Sequence, residues 1–283
     1  MFSRVEPGAA LDALRSAPAW VYVGVVALML LNSLIYVLRL TALAAAPLWA
    51  TLRGVLLGNF VGLVLPTGGA EAVRVVALAP LFGGADRTLG LITASRVLEL
   101  VTWAGLVAWA AVAVLPGRLP ELLPLAGVTV LGFACIVAAV MVGGPRLSRL
   151  GARTGFVGRV QGFLTRAAAT LAELPRRRLL ASWLWTLPFA AVNCGAVWLA
   201  AFAHDVALSY PESLGLIPTL DVIIVLPLTI DGVGVRESLF VHGLAPFGAT
   251  EATALAVALT RWFGQLSRSA AGGVFWLAGR LGP

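Results

Sequence analysis

The 283-residue sequence has few charged residues and no lysine, so all 20 of its basic side chains are arginines. Only 12% of the residues are charged, 60% are hydrophobic, and the mean hydropathy is +0.95. An ordinary soluble domain needs more polar surface than this composition supplies. The composition therefore predicts an integral membrane protein of the all-α polytopic class.

Cysteine and histidine are equally scarce. Cys135 and Cys194 lie inside apolar runs, which favours small core residues over a disulfide. With His204 and His242 as the only histidines, a His/Cys zinc cluster is not available, and no nucleophile elbow, phosphate-binding loop or dinucleotide signature occurs. We therefore predict no metal and no cofactor. The net charge of +7 suggests anionic lipids and no nucleic-acid partner, because the clustered basic residues lie beside predicted membrane spans.

A break in an apolar run occurs twice, in residues 63–74 and again in residues 225–237. In both copies a proline is followed by a pair of glycines and then by an arginine, and Asn59 or Asp221 precedes the proline. The pattern predicts a helix that stops inside the membrane and resumes, as a re-entrant hairpin or a discontinuous span, which requires surrounding protein or a water-filled cavity. The predicted break residues are Pro66, Gly68, Gly69, Pro227, Gly232 and Gly234.

Apolar runs before and after each break extend the similarity to two repeat units, each with an internal arginine (Arg96, Arg261) in its last run. About six full spans are expected besides the two broken pairs, and the first span is expected to end at Arg39. The units are inverted if neither broken pair crosses the membrane, and strict inversion is lost if the first pair crosses. The predicted organisation is an N-terminal surface segment (1–18), repeat unit 1 (19–115), a connecting span (116–142), a basic loop (143–178) and repeat unit 2 (179–283).

The basic loop contains eight arginines and one acidic residue, Glu173. The positive-inside rule places this loop in the cytoplasm, with the protein in the cell membrane. Apolar residues recur at helical spacing from Val157 to Leu174, which predicts an amphipathic helix on the inner leaflet.

Charged side chains inside apolar helices are the candidate functional residues, because each costs roughly 2.5–3.5 kcal/mol at the bilayer centre unless it is paired or faces a cavity. An arginine near a helix end can instead extend to the interface, an alternative that applies to Arg74, Arg87, Arg236 and Arg268 more than to the deeper Arg96 and Arg261. Arg261 and Gln265 form one helical stripe with Arg268. The predicted substrate-binding residues are Arg74, Arg96, Arg236, Arg261, Glu71, Glu99, Glu237, Asn59 and Asp221.

Arginine presents a planar fork of donors that suits phosphate, and a broken helix adds free N–H groups and a positive dipole end. Glycines at the breaks would let the backbone approach a ligand closely. These features predict a positively lined pocket for a phosphate-bearing molecule. In a protein this apolar, a lipid head group is the expected ligand.

The two break regions resemble signatures of a known family. Asn59, the segment 65–74 and the segment 226–237, with its Gly-x-Gly-x-Arg-Glu pattern, are similar to the lysylphosphatidylglycerol synthase transmembrane family, which includes the flippase portion of bacterial multiple-peptide-resistance factors. The similarity runs from the first span to the last. The chain departs from the family at Asp231, where a second glycine is common, and at Pro66-Thr67, where Pro-Gly is common.

The resemblance implies movement of a phospholipid, such as aminoacylated phosphatidylglycerol or a related polar lipid, between leaflets. The longest polar stretch, residues 143–178, is too short for the family's soluble synthase domain, so synthesis of the aminoacyl lipid is not expected of this chain.

Two other functions stay open at this point. One is an enzyme acting on a polyprenyl or phospholipid phosphate with Glu71, Glu99 or Asp221 as a base, although no acid cluster suited to a metal is evident. The other is a non-catalytic membrane partner of a lipid-modifying transferase that docks through the basic loop. The oligomeric state is not predicted.

Overall fold

The computed structural model describes residues 7–63, 69–114, 117, 121–132, 169–170, 172–224 and 235–281. Every regular element in these residues is helical, which confirms the predicted all-α class. The helices are α1 (Pro7–Ser16), α2 (Ala19–Ala44), α3 (Leu48–Val61), α4 (Gly69–Phe82), α5 (Ala85–Trp109), α6 (Leu122–Gly132), α7 (Arg176–Ala203), α8 (Tyr210–Ile224), α9 (Val235–Leu244) and α10 (Glu251–Leu281). A π-helical turn, Ala110–Val114, continues α5.

Three helices in the described ranges are long and apolar enough to cross a membrane: α2, α5 with its π-helical turn, and α7. At 1.5 Å per residue the 26 residues of α2 extend about 39 Å, more than the ~30 Å of hydrocarbon. Large apolar side chains face outward, including Val23 at 69% and Val112 at 82% exposure. Such a surface is suited to lipid rather than to water, so the protein is a multi-pass membrane protein.

The predicted last span is the 31-residue helix α10. Arginines on one of its stripes make it less apolar than α2, α5 and α7, although it is longer than any of them. The predicted connecting span and the basic loop are described only in part. Helix α6 is described as far as Gly132, and most of the basic loop lies outside the described residues. Of the break residues only Gly69 is described, as the first residue of α4.

Prolines precede several of the helices. Pro18, Pro47 and Pro175 stand just before α2, α3 and α7 with extended backbone. A proline is tolerated there because the first N–H groups of a helix have no intrahelical partner. Between α4 and α5 the chain reverses through Gly83 and Gly84, whose φ angles of 88° and 114° are readily adopted only by glycine.

Helices α2 and α7 pack along each other and form the centre of the molecule. Around them, α3 packs on α4 and α10, while α8 packs on α9 and α5. One apolar cluster joins the first half of α2 to α7, α8, α9 and α10, and contains the buried, free Cys194, as predicted for a core cysteine. A second joins the other half of α2 to α3, α4 and α5. Polar residues of α2 lie between the two clusters.

The first span does not end at Arg39. Helix α2 continues to Ala44, and the Arg39 side chain is fully buried. It pairs with an acid on α5, so a charge that the sequence places at a boundary lies inside the bundle.

Candidate functional site: an arginine-lined cavity between the long helices

A cavity of about 160 Å³ lies among the long helices. One water needs only ~10–15 Å³ by the same measure, so the cavity has room for a small polar group. Eleven of its fourteen lining residues lie near the middle of α2, α5, α7 and α10, and the other three lie close to the ends of α3, α4 and α8 that flank the two breaks. They are Asn32, Ser33, Tyr36, Asn59, Arg74, Arg96, Glu99, Trp103, Phe189, Asn193, Asp221, Arg261, Gln265 and Arg268.

Glu71, in the first turn of α4, binds two guanidinium groups. Arg74 Nη1 lies 2.7 Å from Glu71 Oε1, and Arg96 Nη2 donates to the same oxygen. The spacing of Glu71 and Arg74 predicts one shared helix face, and the ion pair confirms it. The Arg96 side chain keeps 41% of its exposure although it lies in the middle of α5, because it faces the cavity.

Glu99, one turn after Arg96, is the second acidic centre. Arg96 Nη1 and Arg39 Nη1 each lie 3.0 Å from Glu99 Oε2. Arg39 also donates from Nη2 to the Ser95 carbonyl at 2.7 Å. A fully buried arginine is tolerated in an apolar bundle only with partners of this kind, so Arg39 and Glu99 join α2 to α5.

Tyr36 lies at the centre of these arginines. The guanidinium carbons of Arg39, Arg74 and Arg96 are 5.7, 5.4 and 5.5 Å from its ring centroid. Cation–π attraction at these distances helps to hold three like charges close together. The Tyr36 hydroxyl itself is buried and has no hydrogen-bond partner among the described residues.

Asn59 and Arg74 connect the two arms of the first broken pair. Arg74 Nη2 donates to Asn59 Oδ1 at 2.6 Å, from α4 to α3. Gly58 makes this contact feasible, because a Cβ at this position would overlap the Arg74 side chain. The hydrogen bond therefore joins α3 to α4 across the first break.

The second group of polar residues centres on Asp221 of α8. Its Oδ2 accepts from Arg261 Nη2 at 2.8 Å and from Asn193 Nδ2 at 3.0 Å. Arg261 also donates to Asn193 Oδ1 at 3.5 Å. The three residues join α7, α8 and α10 in the second half of the chain.

Gln265 and Arg268 lie on the same stripe of α10 as Arg261, and all three line the cavity, as their spacing predicts. Arg236 of α9 donates to Gln265 Oε1 at 3.4 Å, which places it behind the cavity wall. Glu237 lies beside it in the first turn of α9 and does not line the cavity.

Several polar atoms of the site are buried without a hydrogen-bond partner in the described part of the chain. Five are guanidinium nitrogens: Arg39 Nε, Arg74 Nε, Arg261 Nε, Arg261 Nη1 and Arg268 Nε. One acceptor, Glu71 Oε2, is also unpartnered, although its carboxylate is bound by two arginines through the other oxygen. Among the charged side chains, the unpartnered buried atoms are therefore mainly donors.

The lining carries an excess of positive charge. Four arginines and two carboxylates line the cavity, a net charge of +2. Including their partners Arg39 and Glu71 gives five arginines and three carboxylates, again +2. Buried charge without compensation is costly, so an anion is the complementary ligand. In the described residues no group of three or more His, Cys, Asp or Glu side chains is placed to hold a metal ion.

Six of the nine predicted binding residues line the cavity, and Glu71 pairs with two of them. Their role in binding stays a prediction. Tyr36, Asn32 and Arg39 are part of the site but are not among the residues predicted from the sequence. Their spacing of i, i+4 and i+7 from Asn32 matches that of Arg261, Gln265 and Arg268, which is a signal that could have identified them.

The fold and site define a class: a multi-pass helical membrane protein with an arginine-rich cavity between its helices. The chain matches the family described as Lysylphosphatidylglycerol synthase TM region over residues 1–266, and it belongs to that family. Membership supports a membrane role in lipid handling. No curated protein and no solved structure matches the chain.

Proposed function

We propose that the protein is a lipid flippase that moves a phosphate-bearing polar lipid between the leaflets of the cell membrane. The observation that carries the proposal is the cavity between the long helices, in which four arginines line a space of about 160 Å³. Intramembrane charges of this kind mark the paths of substrates and ions. Family membership also supports a role in lipid handling.

The chemistry of the lining favours phosphate. Arg96 and Arg261 present planar donor forks to the cavity, and such forks match phosphate oxygens in pairs. In the proposed mechanism Arg74, Arg96, Arg236 and Arg261 hold the phosphate, directly or through Gln265 in the case of Arg236. Glu71, Glu99 and Glu237 balance their charge, and Asn59 and Asp221 orient the broken helices.

The helix contacts support two repeat units, and in our proposal these units rock against each other. Exchanging α2 with α7, α3 with α8, α4 with α9 and α5 with α10 converts each main contact among these eight helices into another observed contact, such as α3 with α10 into α8 with α5. Inverted repeats with a site at the membrane midplane are a common design of secondary transporters. In our proposal the breaks between α3 and α4 and between α8 and α9 are re-entrant, and the basic loop is cytoplasmic.

A lipid-movement assay in proteoliposomes tests the proposal. Purified protein is reconstituted with fluorescent phospholipids and polyprenyl phosphates, and access of a membrane-impermeant quencher is followed over time. Arg96→Gln and Arg261→Gln should slow movement about tenfold or more, because one charge-assisted hydrogen bond contributes about 1.5–3 kcal/mol. Arg96→Gln leaves each glutamate with one arginine, Arg74 or Arg39, so the fold should survive.

Arg87→Gln is the matched control. Arg87 belongs to the same helix as Arg96 but is exposed in its first turn, so its replacement should leave movement unchanged. Chemical conversion of the lipid without movement would support an enzyme instead. Activity that requires an added transferase and survives both cavity substitutions would support a partner role.

A further inference from the structure

The carboxylates of the cavity are already engaged by arginines. Glu71 pairs with Arg74 and Arg96, and Glu99 pairs with Arg96 and Arg39. Asp221 pairs with Arg261. Each of these acids therefore already has a guanidinium partner, and a cationic head group would have to share an acid with an arginine, as at Glu71, whose Oε2 has no hydrogen-bond partner among the described residues.

Arginines converge on the cavity from different helices. Arg268 of α10 has no carboxylate partner among the described residues, and it lies within electrostatic range of the positive charges of Arg74, Arg96 and Arg261. Its Nε and two nitrogens of Arg261 are buried without acceptors. Like charges repel at this range, so an anion placed among them would relieve the repulsion.

The net charge of the lining indicates how much negative charge a ligand must carry to neutralise it. The net charge of +2 is cancelled by a phosphate monoester, which carries about −1.5 to −2 at pH 7. A phosphodiester supplies one negative charge. A diester that also carries one ammonium group is neutral, and a lysine ester of phosphatidylglycerol is cationic. Of these head groups the monoester is the closest electrostatic match.

We propose that the cavity selects a lipid ending in a phosphate monoester, and that Arg268 is the specificity residue that distinguishes this dianionic group from a phosphodiester. The inference rests on the proposed function, since it names the substrate class of the same cavity. It differs from the expectation drawn from the family resemblance, because an aminoacylated phosphatidylglycerol is disfavoured.

Binding to purified protein in detergent tests the selectivity. The probes are phosphatidate, phosphatidylglycerol and lysyl-phosphatidylglycerol with identical acyl chains, measured by native mass spectrometry. Wild type should bind phosphatidate about tenfold or more tightly than phosphatidylglycerol, the ratio expected for one additional charge-assisted contact. Lysyl-phosphatidylglycerol should bind most weakly. Equal affinity for phosphatidate and the lysyl lipid would overturn the proposal.

Arg268→Gln should bring the affinities for phosphatidate and phosphatidylglycerol close together, chiefly by weakening phosphatidate. Arg268→Lys should restore part of the preference, because it returns the charge without the fork. Arg87→Gln should keep the full preference. A glutamine variant that retains wild-type selectivity in a monodisperse, folded sample would refute the role of Arg268.

A second test uses only the wild-type protein, so its result does not depend on whether the Arg268 variants fold. The monomethyl ester of phosphatidate keeps the acyl chains and removes one negative charge, so it should bind about tenfold more weakly. Equal binding of the two lipids would overturn the proposal. Inorganic phosphate serves as a competitor: displacement of phosphatidate by equimolar phosphate would mean that the cavity recognises the free anion rather than a lipid.

The binding and movement assays separate the two proposals. If wild type moves phosphatidylglycerol as fast as phosphatidate and shows no binding preference, the flippase proposal stands and the monoester inference fails. If the binding preference is observed but no lipid moves, the monoester inference stands and the flippase proposal fails.

Discussion

The two charged clusters around the cavity use similar residues in different ways. In the first half of the chain each glutamate, Glu71 and Glu99, is bound by two guanidinium groups. In the second half Asp221 is bound by Arg261 and by the amide of Asn193, while Arg268 has no carboxylate partner in the described ranges. The first cluster directs most of its donors to acids. The second leaves three buried guanidinium nitrogens, on Arg261 and Arg268, without an acceptor in the described residues.

The difference shows that an arginine in an apolar helix is not by itself a binding residue. Arg39 is fully buried and does not line the cavity, so its charge connects α2 with α5. Arg268 lines the cavity without an acid, so its charge is available to a ligand. The two roles differ in whether the arginine contacts a carboxylate. Substitutions can test this difference by their effects on stability.

Glu99→Gln should have the largest effect on stability. It leaves the buried Arg39 without a counter-charge, and removing one partner of a buried pair costs about 3–5 kcal/mol. The detergent-solubilised variant should show a large fall in Tm by fluorescence-detected size exclusion after heating, or fail to accumulate as a monodisperse protein.

Combining Glu99→Gln with Arg39→Met is the control for that prediction. Because the double variant removes both charges and keeps apolar volume, it should recover much of the lost stability. A Glu99→Gln protein as stable as wild type would contradict the structural role of the first cluster.

Asp221→Asn should destabilise the protein less than Glu99→Gln. Arg261 loses a charge-assisted hydrogen bond worth about 1.5–3 kcal/mol, but it borders the cavity and keeps its contact with Asn193. Thermal melts in the same detergent compare the stabilities of the two variants. If Asp221→Asn were the more damaging of the two, the proposed contrast between the clusters would be reversed.

Gly58→Ala tests whether close packing positions Arg74. The added Cβ overlaps the Arg74 side chain, and overpacking of this kind costs about 1–3 kcal/mol. Lipid movement should fall as well, because the displaced Arg74 loses its hydrogen bond to Asn59. Gly105→Ala is the matched control on α5: its Cβ meets nothing within 4 Å, so the variant should be as stable as wild type or slightly more stable.

Local patterns in the sequence predicted much of the fold and part of the site. Composition alone indicates a helical membrane protein. Pairs spaced three apart, Glu71 with Arg74 and Arg96 with Glu99, form the ion pairs that helix geometry allows. The stripe of Arg261, Gln265 and Arg268 faces the cavity as its period requires.

Partners distant in sequence could not be predicted in this way. Arg39 was placed at a span end because an isolated charge in an apolar run usually marks a boundary, and its partner Glu99 lies 60 residues away. Asp221 and Arg261 are 40 residues apart. Such pairs depend on which helices pack together, and a single sequence does not contain that information.

Arg268→Gln should have the smallest effect on stability and still impair function. Arg268 has no carboxylate partner in the part of the chain described, so its removal leaves no acid unpaired and reduces repulsion with Arg74, Arg96 and Arg261. The change in unfolding free energy should lie within about 0.5 kcal/mol, or favour the variant. Movement of a phosphate-monoester lipid should nevertheless fall about tenfold, since one charge-assisted contact is lost. A marked loss of stability would instead place Arg268 with Arg39, as a charge that holds helices together.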